Sequence, residues 1–341
     1  MAVTIKDIAK IAGVNHSTVS RSLNDSPLIS AETKERIKRI AEELGFEFNS
    51  NARGLSTKKT GTIGLVYPEG FENFNTNLFF SSIQRHVRQT VEREDYDVIV
   101  TFPKNRYTGG DNIQKLISRK KVDGLIIVHP DIEDQDLKYL TDTGIPFVFL
   151  HKKPASDLGK NIDFYCTDHF KGGYLAAKHL LNAGRKRILC ISYDIDEFHM
   201  RTEGYKKALE EQRIPYDEKL VFYGDCSFES AFEAINNHMD IVKTVDGIFA
   251  QSDLMAYGAI EALRKNHIEV PEHVAVVGYD DIELGALLSP KLTTIHQPRE
   301  ELVVMACQRL IELIREDQKA GGTEKVLEPF LVIRESCGLK K

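Results

Sequence analysis

Apolar residues at the start of the chain recur at helical spacing. Ile5, Ile8, Ala9 and Ala12 fall on one face, Thr4 stands at an N-cap position, Asp7 suits the positive helix end, and Gly13 stops the run. A second helical pattern starts at once, with Asn15 as its cap and Val19 and Leu23 four apart. A third is predicted from about Ser30 to Leu44, on the stripe Ile37, Ile40, Ala41 and Leu44, with Gly45 ending it. The first two predicted helices are joined by a very short connection containing a glycine, which is the signature of a helix-turn-helix.

From Gly61 onward the pattern changes. Near-continuous apolar runs alternate with amphipathic stretches. The runs are 62–67, 97–102, 124–128, 146–150, 187–192, 247–250 and 274–278. Such runs predict strands buried on both faces of parallel sheets. They divide into two similar series, 61–163 and 164–291, so the body is expected to hold two doubly wound lobes with a cleft between them. The tail predicts a helix from about Pro298 to Asp317 and a last strand at 329–334.

Charge changes the picture of the N-terminal part. Residues 1–60 carry a net +3 and the remainder −9, within a total of −6 over 341 residues. A basic head on an acidic body suggests that the head alone meets a polyanion. Asn49–Thr60 carries Arg53, Lys58 and Lys59 and no acid, and reads as either a solvated linker or part of that polyanion-facing surface. The five cysteines (Cys166, Cys190, Cys226, Cys307, Cys337) are widely spaced with no C-x-x-C pair, which fits reduced thiols in a cytoplasm. No apolar run is long enough for a membrane span, and the first ten residues lack the apolar core of a secretory signal.

The second predicted helix has an unusual outer face. His16, Ser17, Thr18, Ser20, Arg21 and Asn24 are short or donor-rich, with no Glu or Lys between Asn15 and Asn24. Side chains of this kind can approach base edges and phosphates, while Val19 and Leu23 hold the helix to its neighbours. The run TIKDIAKIAGVNHSTVSRSLN, followed by ISAETKERIKRIAEELGFEFNSNARGLSTKKTGTIGLVYP, resembles the start of a lac-repressor (LacI/GalR) family transcription regulator. The resemblance covers essentially the whole chain. It implies an all-α helix-turn-helix headpiece over 1–48, a hinge helix and linker over 49–60, and a two-lobed α/β body over 61–341 like the periplasmic binding proteins. Lobe one is expected at about 61–163 and 293–324, and lobe two at about 164–292 and 325–338. Three crossovers would join the lobes.

Further expectations follow from the resemblance. Thr4, His16, Ser17, Thr18, Ser20, Arg21 and Asn24 would contact DNA, joined by Asn49, Ala52 and Arg53 of the hinge and by Leu55 as an apolar wedge. Such a wedge costs a few kcal/mol of base unstacking, offset by the larger protein surface that the bent DNA wraps. Phe48 stands where the family usually has proline, and Gly54 disfavours the hinge helix by about 1 kcal/mol. Both features make hinge order more dependent on DNA and dimer contact.

Strand ends and the loops after them should face the cleft. The polar groups there include Asp168, Arg201, Ser252, Asp253, Asp280, Asp281 and Gln297. Carboxylates and a guanidinium suit the paired hydroxyls of sugars, and Phe79 and Phe80, with Phe71 or Phe74 nearby, could stack on a ring face. The resemblance implies effector contacts at Phe79, Phe80, Asp168, Arg201, Ser252 and Asp280. Cys226 stands where several relatives have a large aromatic, leaving a roomier floor or one closed by Phe228. Asp253 has two readings, a ligand group or the cap of the following helix, and Asp281 reads rather as a cap or interface residue.

No nucleophile elbow, zinc-protease, phosphate-loop or dinucleotide motif occurs, and the acids and histidine of 194–199 match no calcium or zinc spacing. An enzyme, a metal site and a cofactor are therefore not expected. The leading function is a repressor of carbohydrate-utilisation genes that binds a pseudo-palindromic operator under control of a small molecule, expected to be a sugar. The alternatives are control by a purine or a partner protein, or a cytosolic sugar-binding protein. ESCGLKK after the last strand holds no leucine heptad, so a homodimer is expected, with Asn77–Arg93 and Ile282–Leu292 at its interface.

Overall fold

The computed structural model describes residues 3–24, 26–46, 59–68, 74–128, 134–151, 162–316 and 321–338. Its first three helices are α1 (Ile5–Ala12), α2 (His16–Leu23) and α3 (Ala31–Glu43). Ile8, Val19 and Ile37, one from each, are fully buried against one another and form the head's core. Gly13 takes a left-handed conformation (φ 65°) and returns its N–H to the Ala9 carbonyl, which allows α2 to begin after only three intervening residues. Arg36 of α3 donates to the Ala12 carbonyl at 2.8 Å, tying the third helix to the end of the first.

The body contains two six-stranded sheets. The first is built from β1 (Thr62–Val66), β2 (Asp97–Thr101), β3 (Gly124–Val128), β4 (Phe147–Leu150), β5 (Phe164–Thr167) and β11 (Glu324–Leu327), in the order β11-β5-β4-β3-β1-β2. The second is built from β6 (Ile188–Tyr193), β7 (Val221–Gly224), β8 (Gly247–Ala250), β9 (Ala275–Asp280), β10 (Thr293–His296) and β12 (Phe330–Val332), in the order β12-β10-β9-β8-β6-β7. All pairs are parallel except β10 with β12, where Thr294 faces Val332.

The expected lobe boundaries need correction. β5 pairs with β4, so lobe one continues through Thr167 rather than ending at 163. β10 pairs with β9, so the return to lobe one falls after 297 rather than at 293. β11 pairs with β5 throughout, so the last crossover lies between Leu327 and Phe330 rather than at 324. The strands β5, β7, β10 and β11 were not predicted by the apolar pattern. β10 is the clearest case, because Thr293 and Thr294 are polar yet fully buried. Their hydroxyls are satisfied by Cys337 and Asp253, residues remote in sequence, and burial is then tolerated.

The lobe-two helices His169–Asn182 and Asp196–Glu211 pack backbone to backbone. A Cβ on Gly173 would lie 2.6 Å from the Arg201 carbonyl carbon and 2.7 Å from its Cα. A Cβ on Gly204 would lie 2.5 Å from the Tyr174 nitrogen. This reciprocal contact sets where Arg201 stands. In lobe one, helices Phe74–Glu92 and Arg299–Glu316 cover one face of the sheet through Ile83, Val87, Val91, Leu302, Ala306 and Leu310. No described helix is long and apolar enough to cross a membrane.

Candidate functional site

On the head, His16, Ser17 and Arg21 are exposed along α2, Thr18, Ser20 and Asn24 are half-buried, and Val19 and Ser22 are buried. Asn24 uses its amide Nδ2 locally, donating to the Ser20 carbonyl at 2.8 Å. Thr4 gives both its backbone N–H (2.9 Å) and its hydroxyl (2.6 Å) to the Asp7 carboxylate, so its side chain is engaged at the start of α1. Asn49, Ala52, Arg53 and Leu55 lie outside the described residues. The chain is next described at Lys59, whose ammonium donates to the Ile314 carbonyl at 2.8 Å. Asp123 then accepts from the Thr60 N–H (2.6 Å), the Thr60 hydroxyl (3.0 Å) and the Gly61 N–H (2.7 Å). The path between head and body is thereby fastened to lobe one at two points.

At the carboxyl ends of the strands the two lobes face each other around Arg201. This guanidinium is only 3% exposed and lies between the rings of Tyr279 (3.8 Å) and Phe198 (4.3 Å). Its Nη1 donates to the Gln251 carbonyl, and its Nε donates to His169 Nδ1 at 3.4 Å. The Tyr279 hydroxyl also reaches His169 Nδ1, at 3.2 Å. A nitrogen that accepts from Arg201 is unprotonated, so this network assigns His169 the neutral Nε2–H tautomer. Behind it, Gln251 receives a hydrogen bond from Ser192 (3.2 Å) and donates to Thr202 (2.8 Å), closing a buried polar layer.

Asp280 ends β9 with a positive φ of 114°. Its carboxylate accepts from Gln297 Nε2 at 2.7 Å. Arg299, reaching over from the first-lobe helix, donates to the Asp280 carbonyl (2.6 Å) and the Asp281 carbonyl (3.0 Å). The Arg299 guanidinium also lies 5.2 Å from the ring of Phe79. Phe79 in turn lies 5.1 Å from the His151 ring, and His151 meets His169 of the other lobe edge to face at 5.6 Å.

Burial pushes the Asp280 carboxyl up to about 6, against the pull of Arg201 and Arg299. An acid whose folded pKa exceeds its unfolded one binds more protons when folded. Stability should therefore fall as pH rises from about 4 to about 6 and be flat with respect to this group above that. Asp280→Asn is expected to lose that slope in thermal melts across the window, and an unchanged slope would assign it to another group.

Several expected contacts are repositioned. Asp253 is fully buried and holds the Thr294 hydroxyl (2.5 Å) with one oxygen and the Ile282 N–H (2.8 Å) with the other. Neither reading of Asp253 therefore stands: it fastens the segment after β9 to β10, and the cap of helix Asp253–Lys265 is Ser252, which accepts from the Met255 N–H at 3.2 Å. Burial and then the nearby Asp280 keep the Asp253 carboxyl well above the usual carboxylate range. Phe80 turns into the first-lobe core against Tyr67, with ring centroids 5.6 Å apart, and leaves Phe79 as the aromatic nearer the cleft. Asp168 spends one oxygen on the Lys171 N–H (2.8 Å) at the start of its helix. Asp281 is paired with Arg334 (2.6 Å) and His296 (2.8 Å). Cys226 is half-buried in left-handed backbone (φ 67°), and its thiol is pushed up to about 11 by burial and then by Asp280, so it stays protonated. Phe71 and the side chain of Phe74 lie outside the described residues.

Sequence reasoning missed His151, His169, Tyr279 and Arg299. A signal existed for each: His151 follows β4 directly, His169 follows Asp168, Tyr279 precedes Asp280, and Arg299 opens the helix after Gln297.

With this geometry in view, comparison with known proteins is decisive. Residues 4–49 match bacterial regulatory proteins of the lacI family, and residues 177–337 match a periplasmic binding protein-like domain. The HTH-type transcriptional repressor PurR of Vibrio atlanticus is 32% identical over 92% of this chain and 92% of its own. This chain belongs to the LacI family. The HTH-type transcriptional regulator RegA of Clostridium saccharobutylicum is 31% identical over 98% of the chain and 99% of its own. The solved lac repressor dimer bound to operator and the anti-inducer ONPF superposes with a TM-score of 0.77 at 26% identity, covering 99% of each chain. The transcriptional regulator CelR–cellobiose complex gives 0.73 at 29%, covering 98% of this chain and 99% of that one. As a LacI-family member the chain is a transcriptional regulator with a DNA-binding head and an effector-binding body.

Proposed function

We propose that this LacI-family regulator binds a pseudo-palindromic operator as a homodimer and represses carbohydrate-utilisation genes. A small molecule, a sugar or sugar derivative, would set its DNA affinity from the cleft between the lobes. The observation that carries this reading is the convergence of Arg201, Tyr279 and Asp280 from lobe two with Phe79 and Arg299 from lobe one. A ligand that prefers one lobe arrangement shifts the population toward it, by no more than its differential affinity for the two. The CelR–cellobiose complex and a LacI-family regulator from Enterococcus faecium with bound ribose support the ligand class.

DNA contact is assigned to His16, Ser17, Arg21 and their neighbours on α2, with Leu55 as the wedge at the operator centre. The dimer surface is assigned to helix Phe74–Glu92 and the segment 282–292. These enclose a groove of about 540 Å³ with Arg85 and Glu283 at its wall, and Leu287, 76% exposed, lies along it. Sedimentation at micromolar concentration is expected to give a dimer, and a tetramer would overturn that assignment.

Selection of operator fragments from random DNA, followed by fluorescence anisotropy, tests the DNA half. Binding should weaken steeply with salt. Arg21→Ala is expected to weaken operator affinity and lower the salt slope by about one. Leu55→Ala should cost more on the selected site than on random DNA, and equal losses would remove the wedge.

A further inference from the structure

Arg201 and Arg299 approach Asp280 from opposite lobes, the first buried and the second half-buried. Among the described residues neither guanidinium has a carboxylate within ion-pair distance. Arg201 gives hydrogen bonds to the Gln251 carbonyl and the His169 ring and also meets the Tyr279 side chain, none of which carries a negative charge. Arg299 gives its bonds to the carbonyls of Asp280 and Asp281. Of the other half-buried arginines, Arg334 pairs with Asp281 at 2.6 Å and Arg309 with Asp163 at 3.4 Å, while Arg185, at the opposite end of lobe two, gives its bonds to the Pro271 and His273 carbonyls.

The carboxylates around the cleft are engaged elsewhere. Asp253 holds Thr294 and Ile282, Asp281 holds Arg334 and His296, and Asp168 spends an oxygen on its helix. Asp280 accepts from Gln297, and at full charge it offsets one of the two cations. A buried cation without a counter-ion is costly, whereas a guanidinium fork matches a carboxylate or phosphate in geometry and charge. A further unmet group lies beside the pair. Gln297 is 1% exposed, and its Oε1 has no hydrogen-bond partner although its Nε2 is bonded to Asp280. An acceptor so placed calls for a hydroxyl donor.

We infer that the effector is a polyhydroxylated anion, a sugar acid or a sugar phosphate, whose oxyanion lies between Arg201 and Arg299 while a hydroxyl donates to Gln297. This inference rests on the interlobe cleft being the effector site, and it narrows the ligand class for that site. It asks for charge as well as ring hydroxyls, which a neutral sugar does not supply.

Calorimetry on the full-length protein with matched probes tests it: glucose against glucuronate and glucose 6-phosphate, and galactose against galacturonate. At least one acid is expected to bind tenfold or more tightly than its neutral parent. The carboxylate and phosphate arms tell which oxyanion the site takes. Arg201→Gln and Arg299→Gln should each remove most of that preference. Arg201→Lys keeps the charge in a variant closer to the native volume and should retain part of it, so a folding defect in Arg201→Gln still leaves a reading. Neutral parents binding as tightly as their acids would overturn the anion inference while leaving the cleft as the effector site. An acid preference that survives both Gln substitutions places the anion elsewhere and also overturns it. Absence of binding by every probe, with operator affinity unmoved by any of them, overturns the inference and the cleft reading together.

Discussion

Gly173→Ala is expected to lower the melting temperature of this protein by about 10 °C. The added carbon meets the backbone of Arg201, not the movable end of a side chain. Helices His169–Asn182 and Asp196–Glu211 must then separate, and Gly204 on the facing helix offers no relief because Tyr174 and Phe170 backbone crowd it in turn. Overpacking that moves backbone costs about 3 kcal/mol, and each kcal/mol shifts the midpoint of a domain this size by about 2–4 °C. Circular dichroism melts check this. A midpoint within about 2 °C of the parent would mean that the helices are not in backbone contact. The same substitution displaces Arg201, so effector response should fail before the protein unfolds.

Arg201→Ala is expected to remove the effector response by a different route. The variant deletes the group held between Tyr279 and Phe198 and leaves the Gln251 carbonyl without its donor, while His169 Nδ1 keeps only the Tyr279 hydroxyl. A charge-assisted bond pair in an enclosed site contributes about 2–4 kcal/mol, or about 30- to 1000-fold in affinity. Ligand affinity should fall by that factor, and the ligand should no longer change operator binding. A variant that folds, binds operator and still responds to the same ligand concentration would remove Arg201 from the site.

The headpiece was legible because its signals are local. Caps at Asn15 and Ser30, stops at Gly13 and Gly45 and a period of 3.6 all act within one turn, and the observed helices begin and end within about two residues of those marks. Strands buried on both faces, such as β3 and β4, announce themselves as unbroken apolar runs. β10 does not, since the burial of Thr293 and Thr294 depends on partners more than forty positions away. The cleft divides the same way. That Arg201 follows a strand end is visible in the chain, but that it lies against Tyr279 requires the pairing of β6, β8 and β9. Asp253 shows how position alone misleads. It follows a strand and opens a helix, as a ligand or cap residue would, yet its two oxygens face Thr294 and Ile282 because β10 and the segment after β9 close over it.

The helix Arg299–Glu316 joins two distant places. Its first residue grips the Asp280 and Asp281 carbonyls of lobe two, and near its far end the Ile314 carbonyl receives Lys59, where the chain returns from the DNA-binding head. Eighteen residues at 1.5 Å each make a rod of about 27 Å. Its flanks are locked to the first sheet by Leu302, Ala306 and Leu310, so it moves as part of that lobe rather than bending. A tilt of only 5° about one end displaces the other by about 2.4 Å over a lever of this length. A motion of lobe two that tilted this helix would therefore reach Lys59 as a displacement of that size, with one helix as the lever.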